Sequence, residues 1–417
     1  MICRIGRQVF RRTPPDWNGQ CFASLISRLR TGQSRILFER ADVMQRRSLF
    51  RLSASMALLG SGLGLSACGG GGGDAGVDPG PAPGPAPAPS PPPTVIQTFA
   101  YIANYNASNI SIYQVEATGT LKPLGLVQAG AGVTSIAVHP SGRFAYAVNE
   151  LDDSISAYAI APETGLLLSI SPDIAAGDGP SEIRIHPSGK FAYVLTFDDN
   201  RVYIFDIDLD TGVIGASAEP ALAFGGVPQG MALDPTGNFL YAAAGDLTLS
   251  SYLIDPVTGG LAPRDSVATS YPGKVIIAPS GNFLLVVTTP TISMFPIAGG
   301  VFGSPNTVVG NNLKSIAFDP SGAYLYATTD VDATTVLIYP VNARGDLDPP
   351  QTRDTSPRLV SSLGTSPSNR CVYTMSAFDD AICVYKTDPD TGALVEELQF
   401  FTGESEPESI SFVQIAR

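Results

Sequence analysis

His139-Pro140-Ser141-Gly142-Arg143-Phe144-Ala145-Tyr146 opens a unit that recurs through most of the chain. The apolar run ending at Val138 predicts a strand, and Pro140 to Gly142 a turn. Phe144 to Asn149 reads as an aromatic strand, Glu150 to Asp153 as an acidic loop and Ser154 to Ile160 as a third strand, before the turn Pro162-Glu163-Thr164-Gly165. The unit returns as His186-Pro-Ser-Gly-Lys-Phe-Ala-Tyr193, Asp234-Pro-Thr-Gly-Asn-Phe-Leu-Tyr241, Ala278-Pro-Ser-Gly-Asn-Phe-Leu-Leu285, Asp319-Pro-Ser-Gly-Ala-Tyr-Leu-Tyr326 and Ser366-Pro-Ser-Asn-Arg-Cys-Val-Tyr373. The motif prolines are spaced by 47, 48, 44, 41 and 47 residues. Four short strands per step of this length predict the blades of a β-propeller.

The two ends of the repeat fix the blade number. Phe99 to Asn104 is an aromatic strand without its preceding strand, and Pro407-Glu408-Ser409-Ile410-Ser411-Phe412 supplies the missing one at the other end of the chain. One split repeat plus six whole ones predicts an all-β, seven-bladed propeller with four-stranded blades, its ring closed by the C-terminal strand. Residues 94–417 then give about 46 residues per blade. Closure of this kind leaves no long open sheet edge at the join.

Charge is distributed unevenly. Residues 1–67 hold 11 Lys+Arg against 3 Asp+Glu, so the remaining residues hold 14 against 35, a net −21. A domain this acidic repels phosphate backbones and anionic membrane surfaces, which excludes nucleic acid as a partner.

The N-terminal text reads as an address followed by a tether. Residues 1–43 show no repeat and read as an extension ahead of a translation start at Met44. Residues 44–67 combine a basic n-region, Gln45-Arg46-Arg47-Ser48-Leu49-Phe50-Arg51, with a short apolar run. Leu65-Ser66-Ala67-Cys68 resembles the lipobox of bacterial lipoproteins, which implies cleavage before Cys68 and lipid attachment there. Arg46-Arg47 leaves open both the general and the twin-arginine export route. Gly69 after the cysteine lacks the aspartate of inner-membrane retention, so an outer-membrane anchor is expected. Residues 68–93, the cysteine and a Gly/Pro-rich run, are a spacer of extended polyproline character. The propeller is expected to be monomeric and to meet the membrane only through its lipid.

An exported location raises the question of a disulfide. Cys371 and Cys383 fall on adjacent strands of one predicted hairpin with Ala377 midway between them, so they are a candidate pair, with two buried thiols as the alternative.

Candidate chemistry is expected at one mouth of the central channel, where the loops joining second to third strands meet the entries to the inner strands. Asn149-Glu150-Leu151-Asp152-Asp153, Phe197-Asp198-Asp199-Asn200 and Phe378-Asp379-Asp380 make that loop set acidic, although Asp and Asn also serve simply as turn formers. Among the inner-strand entries, Glu182 and Arg184 are two apart and share a face, and Lys274 takes the Glu182 position two blades on. A carboxylate flanked by cations can activate water and steady an oxyanion, or can be a structural ion pair. His139 and His186 begin Pro-Ser-Gly turns, a position that Asp, Ala and Ser fill elsewhere, so they read as turn residues. Asp206-Ile-Asp208-Leu-Asp210-Thr-Gly212 has Ser217 where a calcium loop needs its bidentate Glu, and two histidines cannot complete a zinc site. No metal and no cofactor is expected, as no Gly-rich phosphate loop is present.

The repeat, above all His186-Pro-Ser-Gly-Lys-Phe-Ala-Tyr193 and Val148-Asn149-Glu150-Leu151-Asp152, resembles the seven-bladed lactonase family, which includes propeller-type 6-phosphogluconolactonases and carboxymuconate cyclases. The resemblance covers residues 99–417. It implies hydrolysis of a small sugar-type lactone, with Glu150 matching the family's Asn-Glu motif. The Gly-Pro-Arg-His that the family often carries before the inner strand is absent: those places read Ser181-Glu182, Gln229-Gly230, Gly273-Lys274 and Glu408-Ser409. Two functions follow as expectations. One is a lactonase with Glu150 or Glu182 as base and Arg184 or Lys274 at the oxyanion. The other is a non-catalytic propeller that binds or scaffolds a cell-envelope component.

Overall fold

The computed structural model describes residues 3–5, 8–10 and 96–416, apart from 271, 289–290, 310–312, 330–333, 356–358 and 403–404. It divides into two units, Met1–Ala88 and Pro89–Arg417. In the first, the described residues form a two-stranded antiparallel ribbon of Cys3–Ile5 and Gln8–Phe10. The signal segment, Cys68 and the tether lie outside the described residues.

The second unit is a seven-bladed propeller in which every regular element among the described residues is a strand. Blade 1 is the split one: the C-terminal strand Pro407–Ala416 pairs antiparallel with Ile96–Asn104, which continues into Asn109–Val115 and Leu121–Gln128. Blades 2 to 7 each run from an inner strand outward in chain order, their inner strands being Val133–Val138, Pro180–Ile185, Pro228–Leu233, Pro272–Ile277, Leu313–Phe318 and Ser362–Thr365. The strands Phe144–Asn149 and Ser154–Ile160 fall where the repeat predicts them.

The motif residues explain themselves as joints between blades. Each second strand alternates its faces between two neighbours: Phe144, Tyr146 and Val148 pack toward blade 3, Ala145 and Ala147 toward blade 1. The tyrosine at the motif's end is buried, so its hydroxyl needs a partner. It finds the carbonyl of the turn glycine of the next blade: Tyr101 to Gly165 O 2.9 Å, Tyr146 to Gly212 O 2.8 Å, Tyr193 to Gly259 O 2.9 Å, Tyr326 to Gly392 O 2.9 Å and Tyr373 to Gly119 O 2.8 Å. Those glycines adopt φ between +67° and +93°, and a Cβ on Gly165, Gly212 or Gly259 would run into Phe99, Phe144 or Phe191 of the preceding blade. Phe-Ala-Tyr and Thr-Gly are therefore two halves of one latch. The histidines add a second joint: Nε2 of His139 meets Gly189 O at 3.0 Å and that of His186 meets Gly237 O at 2.7 Å, while each Nδ1 lies 3.1 Å from a turn N–H. They are structural, as their position in the turn suggests.

The candidate disulfide is corrected. The hairpin pairs Cys371 with Lys386 and Thr374 with Cys383, so its turn is centred beyond Ala377. Cys371 and the partner of Cys383 are then three residues apart, an odd number that puts the thiols on opposite faces of the sheet. Cys371 joins the apolar cluster shared with blade 1, and Cys383 the cluster shared with blade 6. Both remain thiols, and burial pushes the Cys371 thiol up to about 11.

Two predictions test the latch and the thiols. Tyr146→Phe should lower unfolding free energy by about 1–2 kcal/mol, because it strands a buried carbonyl. Gly212→Ala should cost more, about 2–4 kcal/mol, through overpacking and an unfavourable φ; urea melts of the two variants check the order. Under non-reducing denaturation, both Cys371 and Cys383 should take up iodoacetamide, read by mass spectrometry.

Candidate functional site at the channel mouth

The inner strands begin at the same end of the ring as the second-to-third-strand loops, because Val133 pairs with Asn149, Pro180 with Thr196 and Pro407 with Asn104. Glu150, Glu182 and Lys274 thus all sit at one face of the propeller, and Arg184 lies two residues further along its strand. Six inner strands start with a register shift at this face, between Val133/Ser135, Pro180/Glu182, Pro228/Gly230, Pro272/Val275 and Leu313/Ser315, and between Pro407 and Ser409 opposite Ala103/Asn104. A bulge bends the strand and re-aims the side chain it skips.

Glu182 and Arg184 come together as a salt bridge, with side chains 22% and 44% exposed. The second carboxylate oxygen of Glu182 accepts the backbone N–H of Met231, on the inner strand of blade 4, at 3.1 Å. Ser315 repeats that contact three blades on, its hydroxyl accepting from Leu363 N–H at 3.3 Å. Blade 4 has Gly230 at this position, where an added Cβ would lie 2.8 Å from Val275 N and 3.1 Å from the Cα of Lys274. The position is thus the place where adjacent inner strands touch. At Glu182 one oxygen faces Arg184 and the other accepts from the neighbouring strand, so both are engaged. Lys274 is exposed and does not share the Glu182 pairing: the shift in blade 5 takes both Gly273 and Lys274 out of the ladder. The structure brings together Glu182 and Arg184, and leaves Lys274 on a separate blade of the same face.

Glu150 is half-buried in the loop of blade 2, fixed by its own N–H to Gly132 O at 2.9 Å. Tyr105 and Phe197 take its place in blades 1 and 3, with the same backbone contact to Glu406 O and Gly179 O. The carboxylate therefore lies between two aromatic positions on adjacent blades. The repeat alignment holds this information, but charge alone does not single the aromatic positions out.

Most other carboxylates of the mouth are structural. Asp152 accepts Ala131 N–H at 2.6 Å, Asp153 accepts Gly179 N–H at 2.7 Å, Asp379 accepts Leu359 N–H at 3.2 Å and Asp380 accepts Glu406 N–H at 3.0 Å. Asp153, Asn200 and Asp380 also adopt φ near +50°, the left-handed turn position these residues tolerate best. Asn149, fully buried, spans from the end of the second strand to the hydroxyls of Ser154 and Ser156 at 3.0 and 2.9 Å. No group of three or more metal-ligating side chains occurs among the described residues.

Residues 109–279 match the family described as Lactonase, 7-bladed beta-propeller. That stretch is similar to the seven-bladed lactonase family, and the propeller seen here is the fold the family's description prints. A 6-phosphogluconolactonase of Pectobacterium carotovorum is 42% identical over 62 residues, a match that spans 19% of that protein's length and 14% of this chain. Among solved structures, the periplasmic gluconolactonase of Pseudomonas aeruginosa superposes with a TM-score of 0.69 at 18% identity, over 77% of this chain and 100% of that one. A Bacteroides uniformis protein provisionally named a 6-phosphogluconolactonase gives 0.69 at 20% identity, over 76% and 99%. Kuenenia stuttgartiensis hydrazine synthase gives 0.52 at 19% identity, over 70% and 95%. At these identities, the likeness is one of fold, and one fold can carry more than one chemistry.

The geometry predicts that Glu182 matters to folding. Glu182→Ala should destabilise the propeller by about 1–3 kcal/mol, while Glu182→Gln, which still accepts from Met231, should cost under about 1 kcal/mol; thermal melts separate the two. His139 supplies a pH signature. Burial is the main cause that holds its imidazole below the ordinary histidine value. The neutral ring fits the fold, so its stability contribution is complete above about pH 6.5 and is lost as pH falls through the depressed folded value. His139→Ala should therefore flatten the acid limb of the stability-against-pH curve.

Proposed function

We propose that this propeller hydrolyses a small, uncharged sugar-type lactone at the mouth of its central channel, with Glu150 as general base. The observation that carries the reading is the division of labour among the mouth carboxylates. Glu182 joins two inner strands and four aspartates cap backbone N–H groups; Glu150 is chosen for its place, half-buried at the mouth at the Asn-Glu position and between two aromatic positions. In the reaction, Glu150 takes a proton from water and the hydroxide oxygen bonds to the lactone carbonyl carbon. The carbonyl oxygen becomes an oxyanion for which Arg184, on the blade next to that of Glu150, supplies positive charge. Collapse re-forms the carbonyl and breaks the ring C–O bond, and the departing alkoxide takes the proton back from Glu150, giving a hydroxy acid. The net charge of −21 outside residues 1–67, and the absence of Arg-His pairs, favour a neutral lactone over a phosphorylated one.

We further propose an extracytoplasmic setting, with the propeller tethered through lipid on Cys68 to the outer membrane and monomeric. Lys274 stands apart from the Glu182–Arg184 pair, which favours a second reading, a binding propeller for an envelope component. Acid release from a panel of neutral and phosphorylated lactones decides between them. The enzyme reading expects turnover of neutral lactones that falls at least about a hundredfold in Glu150→Gln, with Glu182→Gln largely active. A flat panel from a folded protein overturns it in favour of binding. Palmitate labelling of the full chain, lost in Cys68→Ser, tests the anchor.

A further inference from the structure

The turn of blade 7 at the mouth contains a residue that the fold does not use. In Ala377-Phe378-Asp379-Asp380, Ala377 N–H donates to Ser361 Oγ at 2.9 Å. Asp379 accepts from Ser376 Oγ at 2.8 Å, and Asp380 takes the left-handed conformation and caps blade 1. Phe378 projects into water, 72% exposed. Phenylalanine is a poor choice for a solvated turn tip, and burying such a side chain is worth about 1.5–3 kcal/mol. Polar Asn106 and Asp198 take the same turn position in blades 1 and 3, and Leu151, 54% exposed, takes it in blade 2, so Phe378 is the one aromatic ring at that position in these four turns.

The ring has one neighbour of note. Nζ of Lys314 lies 5.8 Å from its centroid. Lys314 is the residue skipped by the register shift at the start of the inner strand of blade 6, where Leu313 pairs with Thr329 and Ser315 with Thr328. The bulge turns its side chain out of the ladder, and among the described residues no carboxylate lies within ion-pair distance of it. The contact places Phe378 over the joint between blades 6 and 7 on the channel side, since an outer-rim ring would be out of reach of an inner-strand lysine.

We propose that Phe378 and Lys314 form a specificity-determining subsite that holds the sugar-type ring of the lactone. This rests on the reading of the mouth as a lactonase site. An exposed aromatic face takes the C–H face of a saturated, polyhydroxylated ring, and the ammonium beside it donates to that ring's hydroxyl oxygens. Hydrolysis opens the ring, so the acyclic hydroxy-acid product loses the ring face that Phe378 takes. The pair thus selects for cyclic polyols over aliphatic lactones of equal size.

The test pairs turnover of D-glucono-1,5-lactone with calorimetric binding of D-gluconolactam, which cannot be hydrolysed. Phe378→Ala should raise KM and weaken lactam binding about tenfold with kcat retained, and Phe378→Trp should restore both. Lys314→Ala should weaken lactam binding severalfold. Val257→Ala, which removes an exposed apolar residue (80%) from a turn at the opposite end of the ring, should change neither. Lactone turnover with a KM indifferent to Phe378 overturns the subsite and leaves the lactonase standing. Phe378-dependent lactam binding without turnover keeps the subsite and removes the lactonase. An absence of lactam binding by the wild-type protein overturns the subsite.

Discussion

The propeller depends on one buried hydrogen bond, made between blades and repeated around the ring. A tyrosine hydroxyl sealed between two sheets must be satisfied, and in five blades the carbonyl of the next blade's turn glycine does so. The bond works only because the glycine has no Cβ to separate it from the side chain two residues before the tyrosine, a phenylalanine in blades 1 to 3 and Tyr324 in blade 6. Desolvation drives the tyrosine hydroxyls well above their usual range, so they stay protonated donors at any physiological pH. Where the motif departs, the joint is rebuilt with other atoms. Ser251 Oγ reaches Gly300 O at 2.5 Å at the joint of blades 4 and 5. At the join of blades 7 and 1, Cys371 replaces the phenylalanine against Gly119, and Gln399 clasps the N–H and C=O of Leu121 at 2.7 and 2.8 Å. The ring closes by that side-chain clasp and by the long ladder of Pro407–Ala416 on Ile96–Asn104.

This dependence explains what the sequence made legible. A joint used repeatedly must be written repeatedly, so His-Pro-Ser-Gly, Phe-Ala-Tyr and Thr-Gly appear as text with a period, and strand limits such as Phe144–Asn149 follow from it. Pairing inside one hairpin carries no such redundancy. The turn between Ser376 and Ala381 holds four residues, as the observed pairing of those two residues shows, and centring it on Ala377 misplaces it. Because strand faces alternate, that small error decides whether two cysteines meet or point into different interfaces. Burial in apolar clusters on either side then keeps them apart.

The candidate site was legible in kind and not in detail. The repeat located the mouth and enumerated its carboxylates, but sequence treats Asp153, Asp380, Glu150 and Glu182 alike as acidic. The structure separates them by what they hold. Asp153 and Asp380 each cap the entry to the following blade, and Glu182 does a related task from an inner strand. These are contacts between residues 26 or 49 apart in sequence, fixed by how the blades sit side by side, so no local pattern reports them.

Separating structural from available charge also bears on what such a mouth can accept. A carboxylate that caps an N–H spends its charge on a fixed dipole, yet it still adds to the negative potential that an approaching ligand meets. The mouth therefore repels anions even where its acids have no chemical role. Two lysines of the mouth, Lys274 and Lys314, both arise at bulged entries to inner strands, in blades 5 and 6. Bulges turn their side chains out of the ladder on one side of the ring, while Glu150 stands in blade 2 and is separated from them along the rim. A ligand that engages both sides must span the channel opening with a neutral, hydrogen-bonding body. Under the lactonase proposal, a polyhydroxylated ring would meet that requirement and a phosphate ester would not, since its charge would draw it to the lysines and away from the carboxylate.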